Sequence, residues 1–235
     1  SGDAFGSGGR FHTCFLLETA HAVLLLDCGA SALVSLKARA VDLNRIDGIV
    51  LSHLHGDHFG ALPFLLLDWQ FLGRRERPLL IAGPPGTRAR LAQVLEVFFP
   101  LSSHSQWRFK WDVVEIPLDR ETDVLGHTVR TTEVIHQSGA PSTAVRLSDG
   151  NKTLSYSGDT EWTDALLPIA ADADLFICEC YSHQGRITGH LSWDVLSARL
   201  EDLRARRVMV THMNPTMLAR LDELRAAGVL IAEDG

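Results

Sequence analysis

Short runs of apolar and β-branched residues recur along the chain, separated by longer stretches in which apolar positions return every three or four residues. The runs HAVLLLD (21–27), GIVLS (48–52), LLIAG (79–83), DVVEIP (112–117), TVRTTEVIH (128–136), TAVRLS (143–148), KTLSYSGD (152–159), LFICEC (175–180) and RVMVTH (207–212) have the length and composition of strands. The longer patterns predict helices over 31–40, 59–73, 85–99, 162–171, 191–205 and 215–227. In the fifth of these, Trp193, Leu196, Leu200 and Leu203 share one face. Asp149-Gly150 joins two runs in the manner of a hairpin, whereas other runs alternate with helical patterns. That mixture implies two packed sheets with helices outside. No Pro-rich linker, low-complexity tract or clear repeat divides the sequence, so residues 1–235 read as a single domain.

Composition narrows the partners. At 46% hydrophobic and 22% charged, 235 residues can bury a sizeable core. A formal net charge of -7 gives no broad attraction to nucleic acid or to an anionic membrane. The longest near-continuous apolar stretch, LPFLLLDWQFL, falls short of the roughly 20 residues that span a bilayer, so no membrane partner is expected. Cys14, Cys28, Cys178 and Cys180 form no CxxC pair and read as small core residues of a reduced, cytoplasmic protein. The opening SGDAFGSGGR lacks a methionine, which leaves a secretory signal open. Three weaker features remain. GDAFGSGGR (2–10) is either a phosphate-cradling loop or an ordinary turn, WRFKW (107–111) fits a half-buried strand better than a nucleic-acid contact, and Arg74, Arg75 and Arg77 read as solvated.

The chemistry concentrates in LSHLHGDHFG, residues 51–60. His53 follows the strand GIVLS, and His53-x-His55-x-Asp57-His58 leads into an apolar helical pattern near Phe59. Side chains two apart in an extended segment point to one side, so His53 and His55 can reach one ion while the turn carries Asp57 and His58 toward another. Three further donors stand at strand ends: His136, Asp159 and His212. A sheet delivers such residues to one edge without burying an unpaired charge in its core, so seven donors can converge.

HLHGDH, taken with His136, SGDT (157–160) and THMNP (211–215), resembles the metallo-β-lactamase superfamily over nearly the whole chain. The resemblance implies an αββα sandwich, with its first strand missing from the start of this chain, and two divalent ions at one edge. It would place His53, His55 and His136 on one ion, Asp57, His58 and His212 on the second, and Asp159 between them. Zinc is the first expectation for nitrogen-rich donors, with manganese or iron also accommodated. The superfamily cleaves lactams, thioesters, lactones, sulfate esters and phosphodiesters, so the fold does not choose among them. A bridging aspartate argues against β-lactam cleavage.

LFICECYSHQGRITGHLSW (175–193) is more selective. Its Glu179 and His190 resemble the ribonuclease Z and small phosphodiesterase branch, in which the histidine sits beside the metals and the glutamate orients it. A phosphodiesterase of this branch would use a metal-bridging hydroxide oriented by Asp57, with His190 serving the leaving group. Ribonuclease Z proper inserts a long arm for transfer RNA between the positions of His136 and Asp159; here a hairpin fills that interval. A long tRNA substrate is therefore not expected, and a small-molecule or short nucleotide phosphodiester is. The alternative is a lactone, carboxylic ester, sulfate ester or β-lactam hydrolase on the same metals. A homodimer would be ordinary for the superfamily.

Overall fold

Leu24, Leu25 and Leu26 are all buried, yet they face two different cores. Leu24 and Leu26 pack with Val50, Ala82, Val129, Val145, Tyr156 and Ile177, whereas Leu25 packs with Ile49, Leu51, Ile81 and Val113. Alternate side chains of a strand point to opposite faces, so a strand that is apolar on both must be covered on both. The computed structural model describes residues 2–235. One sheet runs β1 (Phe15–Glu18), β2 (Val23–Leu26), β3 (Gly48–Val50), β4 (Leu79–Gly83) and β5 (Trp111–Glu115), parallel except where β1 meets β2. The second contains β6 (Glu121–Val124), β7 (His127–Glu133), β8 (Thr143–Ser148), β9 (Thr153–Tyr156), β10 (Leu175–Glu179), β11 (Val208–Thr211) and β12 (Leu230–Ile231). Its order is β12-β11-β10-β9-β8-β7-β6, antiparallel from β6 to β9 and parallel beyond.

Helices complete four layers. Residues of α1 (Ala32–Ala38), α2 (Gly56–Phe59), α3 (Leu62–Phe71) and α4 (Thr87–Phe98) pack on the outer face of the first sheet. Residues of α5 (Leu166–Ala170), α6 (Trp193–Ser197), α7 (Pro215–Leu218) and α8 (Leu221–Ala226) pack around Phe176, Cys178 and Val210 of the second. This is the αββα sandwich, and all nine strands read from the sequence are present within it. β2, β3, β7, β9, β10 and β11 all run toward one edge, where Thr143 ties the sheets together through its N–H and hydroxyl, both donated to the Ser52 carbonyl (3.0 and 2.7 Å). No helix among the described residues is long and apolar enough to cross a membrane.

Five expectations are corrected. The helix read over 191–205 ends at Ser197. Beyond it the backbone bonds skip three residues, as in Asp202 N–H to Arg199 C=O, while Leu200 and Leu203 still reach the core. The apolar stripe is real, and the backbone carries it as successive turns. His136 and Asp159 stand past the strands expected to end in them, since β7 stops at Glu133 and β9 at Tyr156. Asp57 and His58 lie inside the one-turn helix α2. Arg75 is 1% exposed and anything but solvated: it donates to the carbonyls of Asn44, Ile46, Arg77 and Pro78 and lies over the rings of Trp69 and Phe109. A guanidinium has enough donors to close the carbonyls of a buried loop and a flat face to stack on aromatics. WRFKW is not the strand expected of it: β5 begins only at Trp111 and the chain bends at Arg108 and Phe109, although burial still alternates, with Phe109 buried and Trp107 and Trp111 packed on the core.

Candidate metal centre and its cavity

The loop after β3 is shaped by a residue the sequence reading passed over. Asp27, at the end of β2, is fully buried and adopts φ 58°, a left-handed conformation uncommon for a side chain with a Cβ. Its carboxylate accepts from Ser52 N–H (2.7 Å), Ser52 Oγ (2.7 Å) and His58 Nδ1 (2.7 Å), fixing both ends of the loop. Gly29 lets α2 approach: a Cβ there would stand 2.0 Å from the Asp57 carbonyl oxygen. α2 then turns Asp57 and His58 inward, both buried.

The seven predicted donors come together in two groups, His53, His55 and His136 in one and Asp57, His58, Asp159 and His212 in the other. Asp159 Oδ2 lies 3.2 Å from His212 Nε2, 3.3 Å from His58 Nε2, and 3.9 Å from both His53 Nε2 and His136 Nε2. His136 Nε2 is 2.9 Å from His55 Nδ1, and Asp57 Oδ2 is 3.2 Å from His212 Nε2. Three of the imidazoles are aimed from behind. Ser52 Oγ sits at His53 Nδ1 (3.0 Å), Asp27 at His58 Nδ1, and the Gly189 carbonyl at His136 Nδ1 (2.8 Å), which leaves the Nε2 atoms facing one another.

These residues fit a pair of divalent cations. His53 Nε2, His58 Nε2 and Asp159 Oδ1 are buried with no hydrogen-bond partner among the described residues, an expensive condition unless something else binds them. Burial, reinforced by neighbouring imidazoles, holds His53 and His136 below the ordinary histidine range, so both are neutral nitrogen donors at neutral pH. Burial would raise Asp57 and Asp159, but the His212 and His58 rings outweigh it and hold both carboxyls well below their usual range. For His58 and His212, burial is outweighed by the carboxylates, Asp159 foremost, and both rise above the ordinary value. Two buried carboxylates among imidazoles draw positive charge, which protons or metal ions can supply.

His190 joins the same cavity, a space of about 370 Å³ whose lining includes His55, Asp57, His136, Asp159 and His212. It does not cap the next helix, where Ser192 occupies the N-cap position. Its Nδ1 is 3.1 Å from Glu179 Oε1, which also accepts Thr160 N–H at 2.6 Å. The ring lies against both Tyr181 (4.7 Å) and His212 (5.4 Å), which are themselves 5.9 Å apart. Burial disfavours the imidazolium, but the Glu179 hydrogen bond and charge prevail and raise His190 above the ordinary range. Burial pushes the Glu179 carboxyl up, with His190 pulling against it.

Glu161 is a second residue that sequence reasoning missed. Its Oε1 accepts Gly189 N–H (3.0 Å), and its Oε2 accepts Arg186 Nε and Nη2 (3.1 and 2.9 Å). It thereby fixes the turn that presents the Gly189 carbonyl to His136 and the next side chain, His190, to the cavity. A Cβ on Gly189 would stand 2.9 Å from His136 Nδ1, and its φ of 80° favours glycine. A larger groove of about 880 Å³, at the amino ends of β4 and β5, holds none of the predicted site residues.

Asp27 offers a direct test of the aimed lone pairs. Asp27→Asn keeps the volume and removes the charge that fixes the His58 tautomer. Zinc affinity measured by competition with a chromophoric chelator is expected to fall about 10- to 100-fold. Unchanged affinity would remove Asp27 from the site.

Known proteins with this architecture agree in kind. The relative named "Probable metallo-hydrolase YhfI" from Bacillus subtilis is 30% identical over 207 residues, covering 85% of this chain and 78% of its own length. The crystal structure of that metallo-β-lactamase-fold protein covers 100% of this chain and 94% of its own with a TM-score of 0.81 at 23% identity. Human tRNase Z, short form, gives a TM-score of 0.79 at 24% identity over 100% and 94% of the two chains, a likeness of fold. Fold and donor set together define a metal-dependent hydrolase of the metallo-β-lactamase superfamily. Within it, residues 1–232 match the family described as "Anti-Pycsar protein Apyc1", and the chain belongs to that family.

Proposed function

We propose that this protein is a phosphodiesterase acting on a small or short-nucleotide diester, such as a cyclic nucleotide, a cyclic phosphate or a short oligonucleotide. His53, His55 and His136 would hold one divalent ion and Asp57, His58 and His212 the second, with Asp159 shared; zinc is the first choice for so many imidazoles. Such ions lower the pKa of bound water toward neutrality and polarise phosphoryl oxygens. Asp57 accepts a hydrogen bond from the attacking water and so orients it. The observation that carries the reading is the Glu179–His190 pair beside the donors. With Nδ1 bonded to Glu179, His190 directs Nε2 into the cavity and hands its proton to the departing oxygen, a service that an alkoxide leaving group needs. The interval from His136 to Asp159 holds only the β8–β9 hairpin, which supports a short substrate over a long tRNA.

Bis(p-nitrophenyl) phosphate tests the assignment. Protein loaded with zinc or manganese is expected to release p-nitrophenolate, and removal of metal by a chelator to abolish the release. A fully metallated sample silent on this ester but active on lactones, thioesters or aryl sulfates would move the protein to another branch.

A further inference from the structure

The groove of about 880 Å³ at the amino ends of β4 and β5 lies at the end of the sheets away from the metal centre, and none of the seven donors lines it. Its volume is that of a site for a small organic molecule. Its floor is aromatic. Trp107, Phe109 and Trp111 line it, with Leu80 and Leu125 from the layer between the sheets. The rings meet edge to face: Trp107 lies 6.0 Å from Phe109 and 5.8 Å from Trp111, at 73° and 88°. Phe109 is buried, and the Arg75 guanidinium, itself fixed by four carbonyls, lies over it. Trp107 and Trp111 are only half-buried, so the outer rings of a braced aromatic group stand at the groove surface. A preorganised aromatic surface binds flat apolar groups at low ordering cost.

Charge selects among such groups. Three cations and two acids line the groove. Arg77 pairs with Asp47, and Arg88 with Asp112 (2.8 Å), which leaves Lys110 exposed with no acid paired to it among the described residues. In a chain of net charge -7, an apolar groove with one uncompensated cation favours an anion.

β5 is also the edge of its sheet, where an extended peptide could add as a further strand. The Lys110 carbonyl and the Ile116 N–H bond to β4, so the Val113 N–H and C=O between them point to the free side. Both are already taken, the N–H by Asp112 Oδ1 (2.7 Å) and the carbonyl by Arg88 Nη2. A peptide strand finds the middle of this edge closed, and the groove suits a compact ligand instead.

We infer that this groove is a second binding site, for a small aromatic monoanion such as an aryl carboxylate, with Trp107 and Trp111 against the ring and Lys110 paired with the carboxylate. The site is separate from the metal centre and does not rest on the phosphodiesterase reading.

Isothermal titration calorimetry of the metal-loaded protein with 1-naphthoate and with the uncharged 1-naphthalenemethanol tests it. Naphthoate is expected to bind saturably and about tenfold more tightly than the alcohol, the difference one charged hydrogen bond makes. Lys110→Gln, an exposed substitution that leaves the core untouched, should remove that difference, while Trp107→Leu should weaken both ligands; zinc content should stay that of the wild type in each. Naphthoate bound equally well by wild type and both variants would place it on the metal ions and overturn the groove as its site. Equal affinities for naphthoate and the alcohol in the wild type would overturn the selection of an anion, and no saturable binding of either would overturn the site altogether.

Discussion

Asp159→Ala is expected to lower kcat/KM for a phosphodiester by at least about 10³-fold, beyond the 10- to 100-fold that loss of an outer hydrogen bond to a metal ligand brings. The reason is position. One carboxylate oxygen stands within 3.9 Å of four imidazole nitrogens drawn from both donor groups, so its removal breaks the link between the two sites. The same substitution leaves His58 and His212 without their strongest charge partner, and both should fall back toward the low values that burial favours. The signature is therefore double: less bound metal by elemental analysis, and loss of most of the rise in Tm that zinc gives the wild type by binding only the folded state. A variant that keeps both metal content and turnover would show that Asp159 is not shared.

Legibility in the sequence followed the range over which each residue acts. The HxHxDH group was readable because its spacing is local and its context, strand then helix, is written in neighbouring apolar residues. The nine strands were readable because most are buried on both faces and so appear as unbroken apolar runs. β6 was not, since ETDV is a half-polar edge strand, and β12 is only two residues long. Asp27 and Glu161 were invisible for another reason. Each acts on residues brought near only by the closed sandwich: Asp27 on a loop 25 positions away, Glu161 on a turn 28 away. In sequence, an aspartate after a strand looks like a turn former and a glutamate after SGDT like a surface acid. Arg75 misled for the converse reason, since a basic cluster after a helix is usually solvated and nothing local announces that four carbonyls need donors.

Residues 159 to 161 show how tightly the two halves of the site are coupled. Asp159 lies between the donor groups, the Thr160 N–H fixes the carboxylate that holds His190, and the Glu161 side chain fixes the turn on which His190 stands. Three consecutive residues set the donors, His190 and the cavity wall relative to one another. Small displacements of this segment should therefore change turnover before they change stability.

His190→Ala should lower kcat by about 10²-fold while metal content stays near that of the wild type. His190 is in hydrogen-bonding contact with Glu179, and none of the seven assigned donors depends on it for its tautomer. If Nε2 serves the departing oxygen, the loss must depend on that oxygen: small for p-nitrophenolate, which leaves without help, and large for a ribose alkoxide. The pH profile supplies the sign. A proton donor works in its charged form, so activity falls as pH rises through its pKa, and a pKa raised by Glu179 keeps the donor loaded nearer neutrality. Glu179→Gln removes the largest influence that opposes burial, so the alkaline limb of kcat should move to lower pH, and in His190→Ala the limb should vanish. Equal losses for good and poor leaving groups, with the limb unmoved, would mean that His190 positions the substrate and another group carries the proton.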